Sequence, residues 1–456
     1  MAAATKTKMM NGGANNSSRE EYSEQPQHTE SEWEAVSSLL DAARPFLRGE
    51  LGSAEDPELP SLVAVLRAAG AGECYHKHGT FLAHLEDVYR ILRLWGASDA
   101  VARCGLFHSS YSNSYVDLAI FQPDTGRAQV RGIIGADAER LVHLFCVVPR
   151  HHLVFQQLQP RYTDQELRDH LAAAEAEAEI AQQPGGLLTT MSPWRQKLRS
   201  VVPAEGVVVS HIRTGEPVRL SRRVVAAFLL MTVADFSDQY TDYQDDLFDN
   251  DDGRLEFRGD NWAALWPGTG KPGLWVSAMS RLAALYGLIA RDEQLIMAIG
   301  EQQQHDDDDM AAVGELVIPP VFERCSRVLD PGEQKAARDL YWEAITSSTK
   351  DDKRKDPEAL LRESIAKNPL VGEPHLVLAQ VLLNGGRYAE AAAAAARGVR
   401  LLLQWGSSWD KRMSWEGWVS WGRLMGDKAR RGTGTWPRTA WGIINLGLVQ
   451  GVANRN

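Results

Sequence analysis

The chain has 456 residues, 44% of them hydrophobic and 24% charged, with a formal net charge of −11. That length suits two or three domains, each with its own core. The acidic balance argues against a nucleic-acid partner, because neutralising phosphates takes clustered Lys and Arg, although it leaves room for a local pocket that takes a small phosphorylated ligand. No apolar run reaches the ~18 residues of a membrane-spanning helix, so no membrane partner is expected.

In chain order, residues 1–31 are polar, with a single Arg and several Glu, which fits neither a secretory leader nor an organellar transit peptide. They read as a disordered tail on a cytosolic or nuclear protein. Helical periodicity begins at "SEWEAVSSLLDAARPFL", with Trp33, Val36, Leu39 and Leu40 on one face and Ser31 placed to cap it. "TFLAHLEDVYRILRLWG" repeats the pattern up to Gly96. "SDAVARCGLFHSS" starts on Ser98 and stacks Val101, Cys104 and His108, and "DAERLVHLFCVV" gives Leu141, Leu144 and Phe145. Residues 157–200 are polar, rich in Ala and Glu and broken by "QQPGG", and read as a helical insertion or lid. "EGVVVSHIRTGEPVRLS" alternates as a β-hairpin around Thr214-Gly215. A strongly apolar helix capped by Ser221 follows and ends its apolar run at Asp235.

Residues 249–274 form an acidic, Gly/Pro-rich linker in which two tempting motifs fail. In "GTGKP", Pro272 stands where a phosphate loop needs Ser or Thr for magnesium, and the glycine spacing is wrong. Set against a calcium loop, Gly253 would put Phe248 and Gly259 at ligand positions. The four cysteines, Cys74, Cys104, Cys146 and Cys325, are widely spaced with no CxxC pair, as suits free thiols in a reducing compartment.

From 275 to 452 the chain is helical again. "EPHLVLAQVLLNGGRYAEAAAAAARGVRLLL" resembles a tetratricopeptide repeat, with Leu378, Ala379, Leu382, Gly386, Tyr388, Ala391 and Ala395 at its small and apolar positions. "EQKAARDLYWEAI" with "DPEALLRESIAKNP" resembles a second unit. The resemblance implies a scaffold for a protein partner. Beyond it, Trp415, Trp418 and Trp421 recur at threefold spacing. They either cap the solenoid or form an aromatic groove for a partner peptide.

The front region, 32–248, carries the chemistry. His84 lies near the start of one helix, His108 ends the next, and Asp235 ends a distant apolar helix. In this order "HKHGTFLAHLEDVYRILRLWGASDAVARCGLFHSSYSN", "IIGADAERLVHLF" and "VADFSDQ" resemble the HD hydrolase domain of the bacterial alarmone synthetase/hydrolases, which make and degrade guanosine tetraphosphate. The resemblance implies metal ligation by His84, His108 and Asp235. It also implies ligand contacts from Lys77, His78, Ser109 and Gln239, the last where the family has Asn. Ser109 stands where the family has its fourth ligand, an Asp, and Ser112 and Asn113 where it has the Glu-Asp pair that serves hydrolysis. The whole chain further resembles an uncharacterised plant family that joins this domain to a tetratricopeptide-like tail.

Two imidazoles and a carboxylate suit Mn(II) or Fe(II) better than Zn(II) and leave coordination positions open. Glu86, Asp87, Asp117 and Asp238 are near in sequence but match no catalytic position of the family. The expected fold is therefore all-α with one small hairpin. The leading functional expectation is a cytosolic interaction or regulatory protein with a degenerate metal- or nucleotide-binding domain. The alternatives are an active metal-dependent phosphohydrolase and a purely structural adaptor whose three polar residues hydrogen-bond one another without a metal.

Overall fold

The computed structural model describes residues 26–50, 56–76, 79–114, 119–123, 125–183, 191–250, 255–257, 268–299, 312–323, 330–346, 356–432 and 435. The chain is all-α. In the front half, α1 (Pro26–Leu47), α2 (Leu59–Ala68), α3 (Phe81–Leu94), α4 (Asp99–Phe107), α5 (Arg127–Ile134) and α6 (Ala136–Val147) precede a π-helical stretch, His152–Leu158. There follow α7 (Asp164–Gln182), α8 (Pro193–Val201), α9 (Arg222–Gln239) and α10 (Asp242–Leu247). The tail comprises α11 (Trp275–Ile299), α12 (Pro331–Thr346), α13 (Pro357–Lys367), α14 (Gly372–Asn384), α15 (Tyr388–Trp405) and α16 (Trp415–Arg430). The expected hairpin pairs Val207–Ser210 with Pro217–Leu220, Val207 opposite Leu220. Two further antiparallel ladders, Tyr75–His76 with Gly79–Thr80 and Phe248–Asp249 with Glu256–Phe257, are two residues long, too short for alternation to show them in sequence.

The centre of the front half is α9. All eighteen of its residues are buried, as expected of a helix whose middle, Val224 to Met231, is apolar on every side. It starts on Ser221, whose hydroxyl accepts from the Val224 amide, and packs against α3, α4 and α11. Gly105 sets the spacing of α3 and α4, since a β-carbon there would come within 2.4 Å of the Leu92 side chain. That close approach brings the His84 and His108 rings to 5.2 Å, centroid to centroid.

One apolar core runs from Leu59 to Ala429 and so joins the front half to the tail. The stretch expected as an insertion or lid is built into it: Leu158, Leu167, Ala174, Trp194 and Leu198 are buried, and α7 packs on α11. The stretch expected as a disordered tail is corrected at its end, because α1 begins at Pro26 and takes in Ser31; residues 1–25 lie outside the described residues. Helix α1 was also expected with the front region. It packs instead on α15, where Val36, Leu40 and Ala43 join Leu376, Val399, Leu402 and Val419 in a second core. Trp415 and Trp418 belong to this same core, 3% and 4% exposed. Their indole N–H groups donate to the Leu402 carbonyl at 2.7 Å and the Asp410 carbonyl at 2.8 Å. The expectation of an aromatic groove therefore fails at these two residues, which close the stack; Trp421 alone of the three is half-buried.

Candidate metal centre

His84, His108 and Asp235 converge, each offering one ligand atom, with all three atoms within 4.8 Å of one another. His84 Nε2 lies 3.3 Å and His108 Nε2 4.0 Å from Asp235 Oδ1. The far nitrogen of each ring is tied down. His84 donates from Nδ1 to Asp238 Oδ2 at 2.8 Å, and His108 donates from Nδ1 to the Gly105 carbonyl at 2.7 Å. Both Nε2 atoms are thereby aimed at Asp235, which is the outer-shell arrangement that fixes metal-binding histidines.

The sequence contains a reason for each placement. Asp235 and Asp238 are three apart at the end of α9 and share one face. His108 ends α4, and Ser98 caps that helix at its start by accepting from the Val101 amide. His84 sits one turn into α3, behind Thr80, whose hydroxyl accepts from the Ala83 amide.

Electrostatics divides the three groups. Burial alone pushes the His84 pKa down, but hydrogen bonds to Asp235 and Asp238 and their charges outweigh it and raise it to about 9. His108 goes the other way, to about 4, because burial is reinforced by the charges of His84 and Arg150 and only partly opposed by Asp235. Burial would raise the Asp235 carboxyl, yet the His84 hydrogen bond and the charges of His108, His84 and Arg150 hold it far below the carboxylate range.

Arg150 is the first residue that sequence reasoning missed. It is 1% exposed, its guanidinium lies 3.7 Å from the Phe145 ring centre, and Nη1 is 3.7 Å from Asp235 Oδ2. A buried carboxylate requires positive charge near it, and here that charge comes from protonated His84 and from Arg150. Asp238, in sequence only a nearby acid, takes a role that depends on a contact across 154 residues. Lys411 is the second residue missed. It reaches in from the tail to donate to the Ser237 carbonyl at 2.8 Å, in the last turn of α9, where a helix end favours a cation.

Ser109, 2% exposed, accepts at Oγ from Asn113 Nδ2 at 2.9 Å, so two of the three positions that the resemblance sets against acids bond to each other. Ser112 adopts a left-handed backbone at φ 65°, uncommon for a residue other than glycine. The amide of Gln239 bonds to the Asp235 carboxylate and lies 3.2 Å from His84 Nε2. It touches the candidate ligands directly. Lys77, His78 and Asp117 lie outside the described residues. A cavity of about 130 Å³ opens on the same corner, bounded by His84, Asp87 and Arg90 of α3, Asp238 of α9, and Lys411 and Glu416 of the tail.

The donor set fits a divalent ion. Ligand atoms about 2.1 Å from a metal are separated by about 3 Å from one another, close to the 3.3 Å edge seen here. The 4.0 Å edge is longer, so His108 has to close on the other two ligands, and the Gln239 amide has to turn aside.

Residues 65–150 match the domain of unknown function DUF6817. The DUF6817 segment holds His84, His108 and Arg150 but neither Asp235 nor Asp238, so the match covers two of the three candidate ligands. No curated protein and no solved structure matches the chain.

Proposed function

We propose that this chain is a regulatory or interaction protein whose front half is a degenerate HD-like module. It holds one divalent metal ion, Mn or Fe in preference to Zn, on His84, His108 and Asp235, and takes a small phosphorylated ligand without efficient alarmone hydrolysis. The observation that carries the reading is the convergence of two Nε2 atoms and one carboxylate, with both Nδ1 atoms already committed to acceptors. A bound metal would supply Lewis acidity toward a phosphate oxygen.

The charges of the chain say what accompanies it. Protonated His84 and Arg150 balance Asp235 and Asp238. His84 has to give up its proton when a divalent ion is bound, and the set is then left with a net positive charge that favours an anionic ligand. Ser109, Ser112 and Asn113 supply no carboxylate for hydrolysis, and Asp238 is engaged by His84.

In this reading the tail is a tetratricopeptide-like scaffold for a protein partner, with Trp421 the one of its three spaced tryptophans near the surface. A cytosolic or nuclear setting agrees with three described cysteines that form no disulfide. Among the described residues no helix is long and apolar enough to cross a membrane.

The test is titration of Mn(II) into chelator-stripped protein, followed by electron paramagnetic resonance, with and without guanosine tetraphosphate. The expected result is a single site, tightened about tenfold by the nucleotide, with no hydrolysis at ordinary enzymatic rates. Absence of Mn(II) uptake, or brisk turnover, contradicts the reading.

One observation favours a second reading, an active phosphohydrolase. Burial pushes the Asp87 carboxyl in the cavity up to about 7, with Asp238 and Glu416 adding to the effect against the pull of Arg90. Such a group suits proton transfer near neutrality. Under that reading, metal-dependent turnover of a phosphorylated substrate is lost in both His108→Ala and Asp87→Asn. A substrate panel without turnover sinks it.

A further inference from the structure

A second charged cluster lies away from the metal centre, where α8, α9 and α11 meet. Three guanidinium groups share the carboxylate of Asp292, which is fully buried. Arg195 Nε lies 2.6 Å from Oδ1, Arg222 Nη2 2.9 Å from Oδ2, and Arg199 Nε 3.5 Å from Oδ2. Arg222 is 3% exposed, and the pairing with Asp292 engages only one end of its fork. Its Nε and Nη1 are buried with no hydrogen-bond partner. Close enough to feel the Arg222 charge is Tyr162, 8% exposed, whose hydroxyl is likewise without a partner. Lys197 lies 5.5 Å from the Tyr162 ring centre and adds a further cation, shared with Glu166 at 3.2 Å.

The unmet groups have a common character. A guanidinium Nε–H and Nη1–H can only donate, and the phenol of Tyr162 donates readily; what they lack is an acceptor. Buried polar groups in native proteins are hydrogen-bonded with few exceptions, so each exception calls for an explanation such as an ion or a water. A guanidinium fork matches two oxygens of a tetrahedral oxyanion, and three arginines around one carboxylate favour an anion of more than one charge. Arg222 is also the first residue of α9, an eighteen-residue helix whose positive end lies there.

We propose that the corner formed by Arg222 and Tyr162 binds a small multivalent oxyanion of the phosphate class. The anion accepts from Arg222 Nε and Nη1 and from the Tyr162 hydroxyl, and it is reached past Arg199, whose side chain is 20% exposed. It joins α8 to α9 and α11 as a charged pin. The site shares no residue with the metal centre, and neither claim depends on the other.

The test is calorimetric titration of inorganic phosphate, and separately of glycerol phosphate, into full-length protein stripped at high salt and held in chelator. Chelation keeps phosphate from reporting on a metal. The expected result is one phosphate per chain, with affinity reduced about tenfold or more in Arg222→Gln and severalfold in Tyr162→Phe. Equal binding of the two probes identifies an exposed terminal phosphate group as what is recognised, and binding of inorganic phosphate alone identifies the free ion. Tyr162→Phe leaves every ion pair on Asp292 in place, so it carries the test if Arg222→Gln does not fold. Failure of the stripped wild type to take up phosphate, or unchanged affinity in Tyr162→Phe together with unchanged affinity in any folded Arg222→Gln, overturns the proposal and leaves a buried water as the partner of these donors.

Discussion

The candidate metal centre and the tail both bury polar side chains, but they use them differently. In the tail several such groups meet a complementary one. The Trp415 and Trp418 indoles donate to backbone carbonyls, and Asn368 donates to Gln334 Oε1 at 2.8 Å. Glu373 accepts from the Trp409 and Asp410 amides at 2.6 and 3.1 Å. At the front the outer nitrogens of His84 and His108 are similarly committed, and the inner atoms are left facing one carboxylate. Satisfied polar groups fix how helices stack, whereas convergent ones form a site.

That contrast is tested most severely by removing the Asp235 carboxylate. Asp235→Ala leaves His84 and Arg150 as buried cations without their shared partner. The expected loss is about 3–5 kcal/mol, the usual cost of breaking a buried ion pair, measured by urea unfolding of the metal-free protein. A loss below about 1 kcal/mol would mean that the constellation is solvated and not a preformed site.

Trp418→Ala addresses the tail. The expected cost is about 3–5 kcal/mol, because the indole fills the core shared by α1, α15 and α16. A nearly neutral effect on stability would restore the aromatic-groove reading for this residue.

Glu373 gives the tail a pH dependence. Burial lifts its carboxyl from 4.5 to about 7, with Asp410 adding to the effect, against the pull of the backbone amides. The folded state therefore holds a proton that the unfolded state releases, so stability from this group is full below pH 4.5 and falls as pH rises through about 7. Glu373→Gln removes the ionisation and keeps the acceptor oxygen. It is expected to gain roughly 2–3 kcal/mol over wild type at pH 8 and little at pH 4, read from unfolding midpoints at the two pH values. A constant difference across pH would contradict the assignment.

The smallest effect belongs to the exposed ion pairs between α13 and α15. Arg387 meets Glu358 at 2.7 Å and Glu390 at 2.5 Å, yet its side chain is 42% exposed. Arg387→Ala is expected to cost under about 1 kcal/mol in the same urea assay. A larger cost would place tail stability in its surface charges and not in its core.

Sequence periodicity was sufficient for much of this architecture. Ser98 and Ser221 cap the helices they precede, Gly386 takes φ 74° in the turn between α14 and α15, and the expected hairpin forms. The order His84, His108, Asp235 also pointed to residues that meet in space. Periodicity shows that a helix has a face to bury, but it does not name the surface that receives it. The docking of α1 on α15 joins residues more than 300 apart, as in the 3.2 Å bond from the Trp33 indole to the Ala392 carbonyl. For the same reason the spaced tryptophans could be read as exposed. Arg150 and Lys411 were missed because each acts through a contact distant in sequence, at Asp235 and Ser237.

The most direct measurement is metal content by elemental mass spectrometry on protein purified without chelator or immobilised nickel, with wild type beside Asp235→Ala. The account predicts near-stoichiometric manganese or iron in the wild type and its loss in the variant. A wild type that carries no metal, or a variant that carries as much as wild type, would contradict a centre built on His84, His108 and Asp235.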